Sequence, residues 1–350
     1  MTKKVTLFRL VVVWVLSQLA IPSHGQPITN KPWQEAVVSV SNLERSAAFF
    51  TQIGNYQTHW QGALSQAELQ SWGLPASARG EAVLLSPNVP SDGGMLRLVR
   101  FDNVGRREPM RPGSRAWDTG CYFSIMVRAK DMQAIYDDAI RLGWWTETPI
   151  TYLEFGESKL NVVIFRGPDG VQVQAYERLS PALPEAIPPF ERLTRPFNMM
   201  QMVRDRDAAY KFYTEGLGFD TFYYGKPYVA IEPEYMPLGI PYNLTTDVPY
   251  RAGITYPVAG EFGRMEMIEI MGLEGRDYAD RCEAPNLGIL AVRFEVESLE
   301  DAKARLSAAN IAASDAADMQ LSPYGPVELL STRTPDGAIV QFYAKRRERR

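Results

Sequence analysis

Pro168-Asp169-Gly170-Val171-Gln172-Val173-Gln174-Ala175-Tyr176 returns 167 residues later as Pro335-Asp336-Gly337-Ala338-Ile339-Val340-Gln341-Phe342-Tyr343. In both copies Asp-Gly supplies the left-handed turn that opens a hairpin. The alternating residues after it suit a half-buried strand that ends in Gln-x-Tyr. A second pair keeps nearly the same offset, because residues 37–50 parallel residues 200–213, with Phe49 and Phe212 separated by 163. Each of these is an alternating strand, a polar helix start and a short helix with aromatics on one face. The chain therefore reads as a duplicated half of about 165 residues.

Each half divides again. A strand at 123–127 leads into a helix over 132–142 that stops at Gly143, and a strand at 290–296 leads into a helix over 299–309. Strand–helix starts thus fall near residues 35, 122, 198 and 290, each followed by Gly- and Pro-rich hairpin strands. Residues 179–194 are Pro-rich at their start and read as a linker between the halves. The expected domains are 26–178 and 195–345, with a basic tail at 346–350.

Length and composition bound the rest. A chain of 350 residues accommodates two domains. Its 45% hydrophobic and 22% charged residues are ordinary for a globular protein. A net charge of −4 gives no reason to expect nucleic acid, and the basic ending reads as a solvated tail. Residues 1–25 read as a secretory signal peptide, with Lys3, Lys4 and Arg9 ahead of an apolar stretch too short for a membrane span and Ser23-His24-Gly25 at the cleavage site. The mature chain is then expected to be periplasmic or secreted. Cys121 and Cys282 are the only cysteines and read as free, small apolar residues rather than a bridge.

The run Ala208-Ala209-Tyr210-Lys211-Phe212-Tyr213-Thr214-Glu215-Gly216-Leu217-Gly218-Phe219 resembles the opening of a module in the vicinal-oxygen-chelate superfamily, and the two Pro-Asp-Gly hairpins resemble its closing strand. That superfamily includes glyoxalase I, extradiol dioxygenases, bleomycin-binding resistance proteins and fosfomycin-modifying enzymes. The resemblance covers nearly all of residues 33–345. It implies an α+β fold of four βαβββ modules forming two tandem cups, the first two modules making one and the last two the other. Duplication within the chain then implies a monomer.

The family draws its metal ligands, usually His, Gln and Glu, from the first and the late or closing strands of paired modules. On this chain those positions fall at Glu35, Arg97, Ser124 (or Tyr122 on the same face) and Gln174 for the N-terminal cup. For the C-terminal cup they fall at Asn198, Glu266, Ala291 and Gln341, with Arg293 and Glu295 on the face of Ala291. None is His, and the mature chain retains only His59. A non-haem iron site needs two His and a carboxylate. Glu35 and Arg97 instead suit an ion pair, and a cation beside a metal ion is unfavourable. No metal and no other cofactor is expected.

Glu266 reads as a general base whose carboxyl burial would raise toward neutrality, or else as a salt-bridge partner of Arg293. Arg97 could take a ligand carboxylate as a fork, or simply fill a vestigial site with Glu35. Gln174 and Gln341 could orient a ligand oxygen or complete a buried network. His59, beside Trp60, could stand at a cup mouth or be a satisfied surface residue. The Pro- and Tyr-rich insertion at 220–260 suits a lid over an apolar or aromatic ligand, and Met199, Met200 and Met202 suit core.

Three functions fit these readings. The first is an exported, metal-independent isomerase or lyase moving a proton on a small cyclic or aromatic oxygenated molecule, with Glu266 as base and Asn198 and Gln341 holding the oxygen. The second is a non-catalytic periplasmic protein that sequesters an apolar small molecule. The third is a glyoxalase- or dioxygenase-like metal enzyme using oxygen ligands, which would favour Mn or Mg over zinc.

Overall fold

The computed structural model describes residues 26–87, 93–113 and 115–346. The expected signal peptide and all but Arg346 of the basic tail lie outside the described residues. Module one contains β1 (Glu35–Ser39), α1 (Leu43–Ala48), β2 (Gln57–Ala63), α2 (Gln66–Ser71), β3 (Arg79–Ser86) and β4 (Met95–Asp102). Module two contains β5 (Ser124–Ala129), α3 (Met132–Arg141), β6 (Thr151–Phe155), β7 (Ser158–Arg166) and β8 (Gln172–Ser180). Module three contains β9 (Asn198–Met202), α4 (Arg206–Lys211), β10 (Asp220–Tyr224), β11 (Tyr250–Tyr256) and β12 (Arg264–Ile270). Module four contains β13 (Gly288–Glu295), α5 (Leu299–Ala308), β14 (Ala317–Leu321), β15 (Gly325–Arg333) and β16 (Ile339–Lys345).

Local chemistry explains where the helices begin. The side chains of Asn42, Asp131, Asp205 and Ser298 each accept a backbone N–H from the first turn that follows, relieving donors the helix leaves unpaired. The duplication extends to detail: α1 and α4 both widen into a π turn, at Phe49–Ile53 and Phe212–Gly216.

The strands form two curled eight-stranded sheets, so the expected α+β fold of four modules in two cups holds. The expected pairing of modules does not. One sheet runs β14-β15-β16-β13-β1-β4-β3-β2 and joins modules four and one; the other runs β10-β11-β12-β9-β5-β8-β7-β6 and joins modules three and two. The segments 26–178 and 195–345 are therefore not separate cups. Each cup is sewn along its first strands, β1 antiparallel to β13 and β5 antiparallel to β9. First strands carry unpaired edges until another module supplies a neighbour, and nothing local in the strand specifies which module that is. The largest hydrophobic cluster joins residues of both sheets, such as Val38, Ile125, Met199 and Phe294, with helix residues such as Phe49, Ile135, Ala209 and Leu306. Two further clusters lie on the other faces, one with Val37, Val99 and Ala291 and one with Met126, Met200 and Ile268.

Outer-with-outer pairing makes the chain pass between sheets twice, through residues 103–123 and 271–287. These passages run side by side, bridging at Pro109 with Leu287 and at Thr119 with Asp277. Cys121 and Cys282 lie on them with Cα atoms 5.2 Å apart and form a disulfide. This corrects the expectation of free thiols, which assumed that the two cysteines belonged to different cups. The bridge closes a loop spanning 161 residues, so it restricts the unfolded chain strongly. Denatured but unreduced protein is expected to yield no free thiol in a thiol titration. Replacing both cysteines by Ala should lower stability by about 2–5 kcal/mol in denaturant unfolding.

Candidate functional site

The cross-pairing redistributes the candidate residues. Glu35, Arg97, Arg293 and Gln341 meet in the cup of modules one and four; Ser124, Gln174, Asn198 and Glu266 meet in the cup of modules two and three. The two sets mix what sequence order assigned to separate halves.

In the first cup β1 places Glu35 opposite Arg293 of β13. Glu35 Oε1 accepts from Arg97 Nε and Arg293 Nη1, each at 2.8 Å, and Oε2 accepts from the Tyr324 hydroxyl at 3.0 Å. Arg293 also donates to Gln341 Oε1 at 2.7 Å and to Glu68 Oε1 at 2.9 Å. Arg97 donates to the Ser322 carbonyl at 2.8 Å. Trp60 and Trp72 lie over the Arg97 and Arg293 guanidinium groups, at 5.3 and 5.4 Å. Glu35, Arg97 and Arg293 are wholly buried. Burial opposes the Glu35 carboxylate, but the guanidinium groups of Arg97 and Arg293 outweigh it and hold its pKa below the ordinary value. Glu35 and Arg97 form an ion pair, and Arg293 joins it rather than pairing with Glu266.

The second cup holds a cleft of about 840 Å³. At its floor Asn198 Nδ2 donates to Glu266 Oε2 at 2.7 Å and lies 3.1 Å from the Met126 sulfur. The Ser124 hydroxyl is 3.4 Å from Gln174 Oε1, and Gln174 Nε2 donates to the Tyr176 hydroxyl oxygen at 2.6 Å. Burial raises the Glu266 pKa to about 7, against smaller lowering by the Asn198 hydrogen bond and by Arg264. Tyr176 is pushed well above its ordinary value, chiefly by burial and also by the charge of Glu266, so its hydroxyl stays protonated. Asn198 Oδ1 is buried with no hydrogen-bond partner among the described residues. Tyr152, Phe155, Tyr223, Tyr228, Tyr235 and Tyr250 line the walls and rim. The stretch read as an insertion at 220–260 supplies four of these six aromatics, but it begins and ends as strands β10 and β11, so Tyr223 and Tyr250 are sheet residues and only Tyr228 and Tyr235 come from the loop between them.

Several participants escaped sequence reasoning. Glu68 shows only a helix-start signature, Ser65 accepting its backbone N–H, while its carboxylate turns inward to Arg293. Met126, Tyr176 and Tyr324 carry no signal apart from strand alternation or Tyr content. Conversely, Tyr122 donates its hydroxyl to the Ile339 carbonyl and sits in the main core, not on a cup face. Ala291 contributes only packing. Glu295 pairs with Lys31 and Lys345 near the surface. His59 contacts Ser86 Oγ at 3.0 Å, a satisfied edge-strand residue.

Neither cup fits the metal that this architecture often carries. Two guanidinium groups occupy the first. The second offers one carboxylate, two amides and a thioether, and among the described residues no group of three His, Cys, Asp or Glu side chains converges. A divalent ion there would lack the anionic or imidazole ligands that offset its dehydration.

Comparison with known proteins bears on the architecture. No family model matches the sequence, and no curated protein matches it at a significant level. Among solved structures, glyoxalase I from Zea mays matches with a TM-score of 0.58 at 13% identity, over 89% of this chain and 92% of that one. A point mutant of the same enzyme gives 0.58 at 14%, over 90% and 94%. The chain has the vicinal-oxygen-chelate fold. A putative dioxygenase from Bacillus subtilis also matches, with a TM-score of 0.52 at 9% identity over 90% of this chain and 86% of that one. At such identities the vicinal-oxygen-chelate likeness speaks to fold, and function must be read from the cups themselves.

Two expected outcomes separate the cups. Glu35→Gln leaves buried guanidinium charge uncompensated and should destabilise by about 3–5 kcal/mol at pH 7. Because the folded pKa of Glu35 is lowered, its contribution is present above the ordinary carboxylate value and is lost as pH falls through the folded one. The deficit in thermal unfolding should therefore narrow in acid. Glu266 has the opposite sign. Its raised folded pKa makes the buried carboxylate a cost that is absent below the unfolded value, grows toward pH 7 and is full above it. Glu266→Gln should stabilise at pH 8 by on the order of 3 kcal/mol and have little effect at pH 4.

Proposed function

We propose that the cup of modules two and three is the active site of a metal-independent isomerase or lyase, acting by proton transfer on a small cyclic or aromatic oxygenated molecule. The observation that carries this reading is Glu266: a carboxyl group with a pKa of about 7, on the floor of a large cleft, beside an amide oxygen that lacks a partner. A base poised near the working pH is half available and still strong enough to act. Glu266 takes a proton from a carbon next to a carbonyl, and the electron pair of that C–H bond moves toward the carbonyl oxygen. The Tyr176 hydroxyl, held protonated, donates to the developing enolate. Glu266 then returns the proton to a neighbouring carbon in an isomerisation. In an elimination, the enolate instead expels a β-substituent that leaves with its bonding pair. Asn198 Oδ1 accepts from a substrate hydroxyl, and Gln174 holds Tyr176 in place. Gln341, first considered for the oxygen, is replaced in that role because it belongs to the other cup.

Export is part of the proposal. It is supported by the signal-like leader in the sequence and by a buried disulfide, which suits an oxidising compartment. Completion of both cups within one chain supports a monomer. A binding protein is the second reading, favoured by the aromatic wall of the cleft.

Hydrogen–deuterium exchange of a panel of cyclic ketones and enones in D2O, followed by proton NMR, tests proton abstraction directly. Wild-type protein should catalyse exchange at a carbon next to the carbonyl. The rate per bound substrate should rise with pH through about 7 and then level, since Glu266 must be ionised to act. Glu266→Gln should lower it by at least about a hundredfold. Saturable binding of panel members with no exchange above the uncatalysed rate would leave the binding protein in its place.

A further inference from the structure

One end of the same cleft carries an imbalance of charge. Arg128 on β5, Arg178 on β8 and Arg264 on β12 all line it. Two of them share one carboxylate: Glu261 accepts from Arg128 Nε at 2.6 Å through Oε1, and Arg264 Nη2 lies 3.3 Å from Oε2. Arg264 also donates to the Gly260 carbonyl and stacks on Phe222 at 3.8 Å, and Arg128 lies over Phe197 at 4.8 Å. Arg178 has no such partner. It makes no ion pair or side-chain hydrogen bond among the described residues, and its Nε is buried and unsatisfied. Apart from Glu266 on the floor, the acidic residues of the lining are Glu154 and Glu234, which are exposed and accept from the Tyr152 and Tyr228 hydroxyls.

Arg178 is partly buried, and a buried guanidinium nitrogen is costly unless something accepts from it. Strand geometry states where that acceptor must lie. Gln174, Tyr176 and Arg178 share one face of β8, at steps of roughly 6.6 Å, so Arg178 stands about two steps from the Glu266 end. Between the two ends are aromatic walls.

We propose that the partner of Arg178 is a carboxylate on the substrate, so that the cleft takes a cyclic or aryl carboxylate, gripped by Arg178 at one end and presented to Glu266 at the other. A single planar fork matches the two oxygens of a carboxylate. The flat body of such a molecule stacks along the Tyr and Phe walls, and the distance along β8 keeps its charge away from the ionised base. This inference rests on the reading of the cleft as the substrate site, and it deepens that reading by naming the chemical class.

Isothermal titration calorimetry of the full chain with 2-naphthoate and 2-naphthamide, which differ in charge but hardly in shape, tests it. Wild-type protein should bind the naphthoate at least about tenfold more tightly than the amide. Arg178→Gln should abolish that preference while leaving naphthamide affinity unchanged, and Arg178→Lys should restore part of it. Glu266→Gln should retain it. Equal binding of the two probes, no saturable naphthoate binding at a few millimolar, or a preference that survives Arg178→Gln would overturn the proposal. A preserved charge preference together with failed deuterium exchange would overturn proton transfer and leave the carboxylate site standing; the converse result would overturn the carboxylate site alone.

Discussion

A carboxylate with no exposure to water persists only where opposite charge and hydrogen bonds replace its hydration, and Glu35 has both. Arg97 comes from the same module, Arg293 from the last one and the Tyr324 hydroxyl from the loop before β15. The carboxylate therefore ties the beginning of the described chain to its end, across the seam of β1 and β13. Glu68 and Gln341 complete the shell around Arg293, leaving Arg97 Nη1 as the one guanidinium nitrogen of the pair without a partner. Glu35 keeps Arg97 within its own module, and the pairing with module four adds Arg293 and Tyr324 to the same carboxylate.

The same network disposes of one cup as a reaction site. Its coordination positions are occupied by residues that satisfy one another, so little is left to offer a ligand. The other cup is built on the same plan with the opposite balance. Its floor carries one carboxylate and neutral amides, and among its lining residues Asn198 Oδ1 and the Nε atoms of Arg178 and Arg264 are buried without partners. Unsatisfied buried groups are uncommon in native proteins, and where they line a cleft a polar ligand can reach them. One scaffold thus holds a structural knot on one side and an open chemistry on the other.

Pairing of outer with outer and inner with inner modules also explains features that are otherwise disconnected. Modules two and three are neighbours in sequence, joined by the Pro-rich linker, whereas modules one and four stand at the two ends of the described chain. The passages between sheets then run together, and the disulfide joins them. Loop closure over such a distance is entropically expensive, so a covalent bridge is well placed where the strand pairing is least local.

Local order was largely legible in the sequence. The Pro-Asp-Gly turns, the Asx and Ser helix starts, the alternating strands and the four-module repeat all rest on interactions within a few residues, and each lies where periodicity placed it. Alternation placed Glu35, Arg97, Gln174 and Glu266 on cup faces, but it also put Tyr122 beside Ser124 and Glu295 beside Arg293, where the sheets do not hold them. What the sequence could not supply was the company they keep. Glu266 was weighed against a bridge to Arg293, and Gln341 was set beside Asn198, because order along the chain suggested neighbours that the sheets do not grant. Glu68 and Arg178 stayed unnoticed for the same reason, Tyr176 was seen only as the end of a repeated strand, and the cysteine bridge was missed. Which edges pair is decided by burial and charge compensation summed over the whole molecule, and that sum exists only once the chain has folded.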